Sequence, residues 1–163
     1  MHGASSWSFH EEDSNRIHAI LADFLRESNA RTGLIVDRAG QIVAIVGESP
    51  EFDPTAFASL TAADFSANDQ LAKMIGEPEF GSLFHQGEKE SMYLADIARR
   101  VILVVLFDNR TTLGLVKLRV RNAVGALSRV FEDMFKRAGT SQPQVETGFL
   151  GEAEDEIDKL FGN

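Results

Sequence analysis

Apolar residues recur along the chain with either a helical or a strand-like period, and the changes between the two mark out its elements. Between His10 and Asn29, Ile17, Ile20, Leu21, Phe24 and Leu25 fall at helical spacing, and Glu11, Glu12 and Asp13 sit where the positive end of a helix dipole favours carboxylates. The spacing predicts a first amphipathic helix. Leu34 to Asp37 and Gln41 to Val46 read as two short strands joined by Arg38-Ala39-Gly40, where the glycine supplies the positive φ of a tight turn. Pro50 and Pro54 interrupt the chain. From Thr55 to Glu77, Leu60, Ala63, Ala67, Leu71 and Met74 then form a second helical stripe, expected to face the core. The opposite face carries Ala58, Ala62, Phe65, Ser66, Asp69, Gln70 and Lys73. One large aromatic among small and polar residues has two readings: a contact for a partner, or a core residue of a helix rotated from this phase.

"SLFHQGEKESMYLADIARRVILVVLF" divides into three runs separated by Gly87-Glu88-Lys89-Glu90 and Ala98-Arg99-Arg100, which predicts a three-strand meander. Val101 to Phe107 has no polar face, so it is expected to be a central strand buried on both sides, covered by helices on both faces or by a second copy of the chain. Thr111 opens a third helix, with Asp108, Asn109 or Thr111 as the N-cap. Leu113, Val116, Val120, Val124, Leu127, Phe131 and Met134 form its core stripe. The expected organisation is a flexible N-terminus over 1–8, one domain over 9–137, a linker over 138–151 and a short acidic amphipathic segment over 152–163. That last segment spaces Ala153, Ile157, Leu160 and Phe161 on one side of an acidic background, a pattern suited to folding onto a partner.

Composition narrows the function. Sixteen Lys and Arg against 25 Asp and Glu give a net charge of -9, and six of the acids lie in residues 138–163 beside one lysine. This sign disfavours nucleic acid and anionic membrane surfaces, which select basic patches. With no cysteine there is no disulfide or thiolate chemistry, and with no long apolar run or leader-like start the expected location is the cytoplasm. No phosphate loop, H-E-x-x-H, G-x-S-x-G or kinase signature occurs. His85 with Glu88 is a weak metal pair across a turn. Asp108 and Arg110, at the end of the buried strand, read as a helix cap and ion pair before they read as an active site. No cofactor, metal or catalytic residue is assigned.

The order helix, hairpin, helix, meander, helix, together with "LIVDRAGQIVA", "ASLTA", "LAKMIGEPEF", "FHQGEKESMYL", "VILVVLFDNRTTLGLVKLRV" and "DEIDKLF", resembles the bacterial roadblock/dynein light chain family over Phe9 to Phe161. The resemblance implies an α+β fold of order α-β-β-α-β-β-β-α, with a five-stranded, mainly antiparallel sheet. It implies a homodimer joined sheet edge to sheet edge, three-layered α/β/α, with the two second helices side by side. It further implies a non-enzymatic regulator that docks two subunits on one Ras-like small GTPase of cell polarity and motility, working in the cytoplasm and at a cell pole. Such a regulator drives the GTPase switch segments into a hydrolysis-competent state without an arginine finger, so Arg110 is structural. The alternative is a scaffold bridging polarity proteins without changing hydrolysis. By position, Ala58, Ala62, Phe65, Ser66, Asp69, Gln70 and Lys73 would be the GTPase-docking face. Asp69 and Gln70 stand where relatives carry small residues, and would need hydrogen-bond partners on the GTPase. Ile157, Leu160 and Phe161, with Glu154, Asp155, Glu156 and Asp158 around them, would form a tail segment that contacts the GTPase away from its active site and affects exchange.

Overall fold

The computed structural model describes residues 10–141. In chain order the elements are α1 (Glu11–Ser28), β1 (Thr32–Asp37), β2 (Ile42–Gly47), α2 (Pro54–Met74), β3 (Ser82–Gln86), β4 (Ser91–Ile97), β5 (Val101–Phe107) and α3 (Leu113–Ser141). The strands form one antiparallel sheet of order β2-β1-β5-β4-β3. The fold class expected from the sequence holds. The tail residues Ile157, Leu160, Phe161, Glu156 and Asp158 lie outside the described residues. α3 continues to Ser141, beyond residue 137, where the linker was expected to begin.

β5 is the centre of the sheet, and its residues from Val101 to Val105 are fully buried. Alternation along the strand explains why both periods of burial are apolar. Val101, Leu103, Val105 and Phe107 join the core under α1 and α3, while Ile102 and Val104 join the core under α2. Neighbouring strands repeat the division: Ile35, Tyr93, Ala95 and Ile97 face the first core, and Leu34, Val36 and Leu94 face the second. The chain therefore covers both faces of its sheet with its own helices.

The hairpin forms as its residues dictate. The Asp37 carboxylate accepts the N–H groups of Ala39 at 3.0 Å and Gln41 at 2.9 Å, and Gly40 takes φ +90°. A Cβ on Gly40 would lie 3.0 Å from the Ser59 Cα, so the glycine also lets the turn approach α2. The N-cap of α3 is a correction: the hydroxyl of Thr112, one residue beyond the expected set, accepts the Leu115 N–H at 3.2 Å. Asp108 instead accepts the N–H of Arg110 at 3.0 Å, shaping the turn before the helix.

Candidate functional site

α2 lies on the sheet with a phase opposite to the one expected. Ala58, Thr61, Ala62, Phe65, Asn68 and Ala72 are buried, and Phe65 is among the largest fully buried side chains. The stripe expected in the core is outside: Leu60 is 71% exposed, Leu71 57% and Met74 82%, with exposed Ala63 and Ala67 between them. The reason is the sheet surface beneath. Leu34, Val36, Leu94, Ile102 and Val104 present a closely filled apolar layer, on which Ala58 and Ala62 allow close approach, Phe65 is the fully buried large insert and Phe57 packs partly buried at one end. Ala58, Ala62 and Phe65 are thus core residues, and the docking face drawn through them from the sequence is turned inward. Ser66, Gln70 and Lys73 are exposed, so they flank the outer stripe. The signal for the true phase was present in Ala58, Thr61, Ala62, Phe65, Asn68 and Ala72, also at helical spacing, but with one large apolar member.

Side chains tie α2 in place. The Arg38 guanidinium bonds Asp69 of α2 at 2.8 Å, pairs with Asp96 of β4, and lies 5.0 Å from the centroid of the Phe65 ring. Asp69 therefore already has a partner within the chain, where the sequence had suggested one on another protein. Asp64, one turn along, contacts the Nε2 of His85 on β3 at 2.5 Å. The Asp53 carboxylate accepts the Thr55 N–H at 3.1 Å and caps the start of the helix. His85 is engaged with Asp64, and among the described residues no group of three or more His, Cys, Asp or Glu is arranged to hold a metal.

Beside the N-terminal end of α3 lies a charged cluster. Arg110 contacts Asp108 at 3.0 Å and Glu48 at 2.9 Å, and Arg31 contacts Glu48 at 3.1 Å and pairs with Glu90. The side-chain bond to Arg110 pulls the carboxyls of both Asp108 and Glu48 below their ordinary range, and the Asp108 bond, with that to Glu48, raises the Arg110 guanidinium still further from neutrality. The Asn29 side-chain amide donates to the Arg110 carbonyl at 2.8 Å. Arg110 is a fixed corner between α1, β2 and α3.

The site thus has a helix with an apolar, solvent-facing stripe, an adjoining edge strand β3 that among the described residues pairs only with β4, and a charged cluster locked on itself. The Roadblock/LC7 domain description matches residues 16–107. The chain belongs to the Roadblock/LC7 family. Its structure is similar to Myxococcus xanthus MglB at 42% identity and TM-score 0.73, over 78% of this chain and 96% of that one. It is similar to the gliding protein MglB of Thermus thermophilus at 33% identity and TM-score 0.73, over 78% and 97%. An MglB with a tetrameric arrangement matches at 32% identity and TM-score 0.74, over 79% and 97%. No curated protein matches. Among the described residues no helix is long and apolar enough to cross a membrane.

Proposed function

We propose that this roadblock protein is a homodimeric activator of a bacterial Ras-like small GTPase of the MglA type, acting in the cytoplasm in cell polarity and motility. The observation that carries this reading is the outer stripe of α2, where Leu60, Ala63, Ala67, Leu71 and Met74 face solvent while a separate set of residues holds the helix on the sheet. Solvated helices do not usually set three large apolar side chains in one line without a partner. Strand addition across the free edge of β3 would bring two α2 helices together, giving one broad apolar platform with Ser66, Gln70 and Lys73 at its margins.

Such a platform works by differential binding. It accelerates hydrolysis to the extent that it fits the switch geometry of the transition state better than that of the resting GTPase. The catalytic groups then belong to the GTPase. Arg110 supplies no finger in this reading, because reaching a bound nucleotide would strip it from Asp108 and Glu48. The tail, through Ile157, Leu160 and Phe161, adds a second contact that influences nucleotide exchange.

The test mixes a stoichiometric excess of this protein with the GTP-loaded GTPase and follows phosphate release. A severalfold rise is expected. Binding with an unchanged rate would identify a scaffold instead, and no binding in either nucleotide state would remove the reading altogether.

A further inference from the structure

A groove of about 280 Å³ runs between α3 and the β3–β4 hairpin, on the face of the sheet opposite α2. Tyr93, Ala95, Val120 and Val124 form its apolar walls, Lys117 and Arg121 stand over it, and the Asp96 carboxylate at its margin is already paired with Arg38. Toward the C-terminal end of α3, the Arg100 guanidinium stacks 4.6 Å from the centroid of the Phe135 ring. Along α1 and α3, Arg16 pairs with Asp133, Arg119 with Glu27, and Arg137 with Asp13. Lys117, Arg121 and Arg100 make no ion pair with any described residue, in a protein of net charge -9. Two open cations at an apolar groove, with a third further along α3 stacked on Phe135, suit an acidic, partly apolar occupant.

We infer that the occupant is the chain's own C-terminal segment, Glu152 to Phe161, folded back along α3 in the free protein. Its chemistry is complementary: Glu152, Glu154, Asp155, Glu156 and Asp158 supply the charge, and Ile157, Leu160 and Phe161 the apolar side chains. Its reach is sufficient. From Val124 to the end of α3 at Ser141 is roughly 25 Å along a helix axis, while the 16 residues from Ser141 to Ile157 can span up to about 53 Å when extended. The returning chain passes Arg100 before it reaches Arg121 and Lys117. A tail seated there is withdrawn from any other partner, so a partner that uses the tail must first displace it. This seat does not depend on the GTPase reading.

Because the chain has no native cysteine, a cross-link reports the seat directly. Val124→Cys combined with Leu160→Cys, oxidised by copper phenanthroline without any partner present, should form an internal disulfide at least about tenfold faster than Ala63→Cys with Leu160→Cys on the other face of the sheet. Adding Lys117→Glu and Arg121→Glu should remove most of that advantage, as should high salt. A rate equal to the control, insensitivity to charge reversal, or a disulfide joining two copies would overturn the assignment. Hydrogen exchange on the unaltered chain supplies a second reading: residues 152–161 should be protected in the free protein, and full exchange there would also overturn it.

Discussion

The two faces of the sheet are covered by different means. Under α1 and α3, two helices interlock large side chains with the strands: Ile17, Leu21 and Phe24 from one, Leu127, Phe131 and Met134 from the other. Under α2, one helix meets the sheet mainly with alanines and one fully buried phenylalanine, Phe65, with Phe57 partly buried beside it, leaving Leu83, Met92 and Leu106 only partly covered. The first face is held by shape. The second depends on Phe65 and on hydrogen-bonded ties from Arg38 and His85, and it directs Leu60, Leu71 and Met74 outward. The large apolar side chains of α2 are thus divided between its two sides, Phe65 beneath and Leu60, Leu71 and Met74 toward solvent.

The largest test of that contrast is Phe65→Ala. As the only fully buried large side chain of α2 among the described residues, Phe65 should on removal lower stability by about 3 kcal/mol, read as a shift in urea midpoint, and loosen α2 ahead of α1 and α3 in hydrogen exchange. Uniform loosening would mean the two faces form a single cooperative core. On the outer side, Leu71→Arg should leave the fold intact, within about 0.5 kcal/mol, yet lower GTPase affinity at least about tenfold. Unchanged affinity would place docking elsewhere. Arg38→Ala sits between these cases, since it removes the ties to Asp69 and Asp96 and the stack on Phe65. A loss of about 1 kcal/mol is expected, with part of it absent in high salt.

The smallest effect concerns the other face and pH. Burial alone pushes the Asp13 carboxyl up, but the Arg137 bond and the His10 N–H outweigh it and hold the group below its ordinary value. A carboxyl whose folded pKa lies below its unfolded one stabilises the fold above about pH 4, and that contribution fades as pH falls through the folded value. Asp13→Asn should therefore flatten the acid limb of the stability profile, and an identical limb in both proteins would show that Asp13 does not govern it.

Most of the fold was legible because strands and long helices write strong patterns. The seven-residue apolar run placed β5 at the centre, and Arg38-Ala39-Gly40 announced its hairpin. The phase of α2 was not legible from apolar spacing. Ala58 and Ala62 on one side and Ala63 and Ala67 on the other weigh alike, so three large exposed residues outvoted Phe65. Which side faces the sheet depends on the surface that β1, β4 and β5 assemble, and a local pattern carries no record of it. Asp69 misled for the same reason, as its partner Arg38 is far away in sequence and arrives only through the fold.

The sheet order carries a consequence for the protein's synthesis. β1 is buried along its whole length, yet it pairs on one side with β2, made moments later, and on the other with β5, made after everything through α2, β3 and β4. At roughly 5–20 residues per second, the edge of β1 waits on the order of several seconds for its neighbour on the ribosome. The nascent hairpin thus exposes, for that interval, a seam that is buried in the finished molecule. Where the cell shields this chain during its making, the β1–β2 hairpin is the part that needs it.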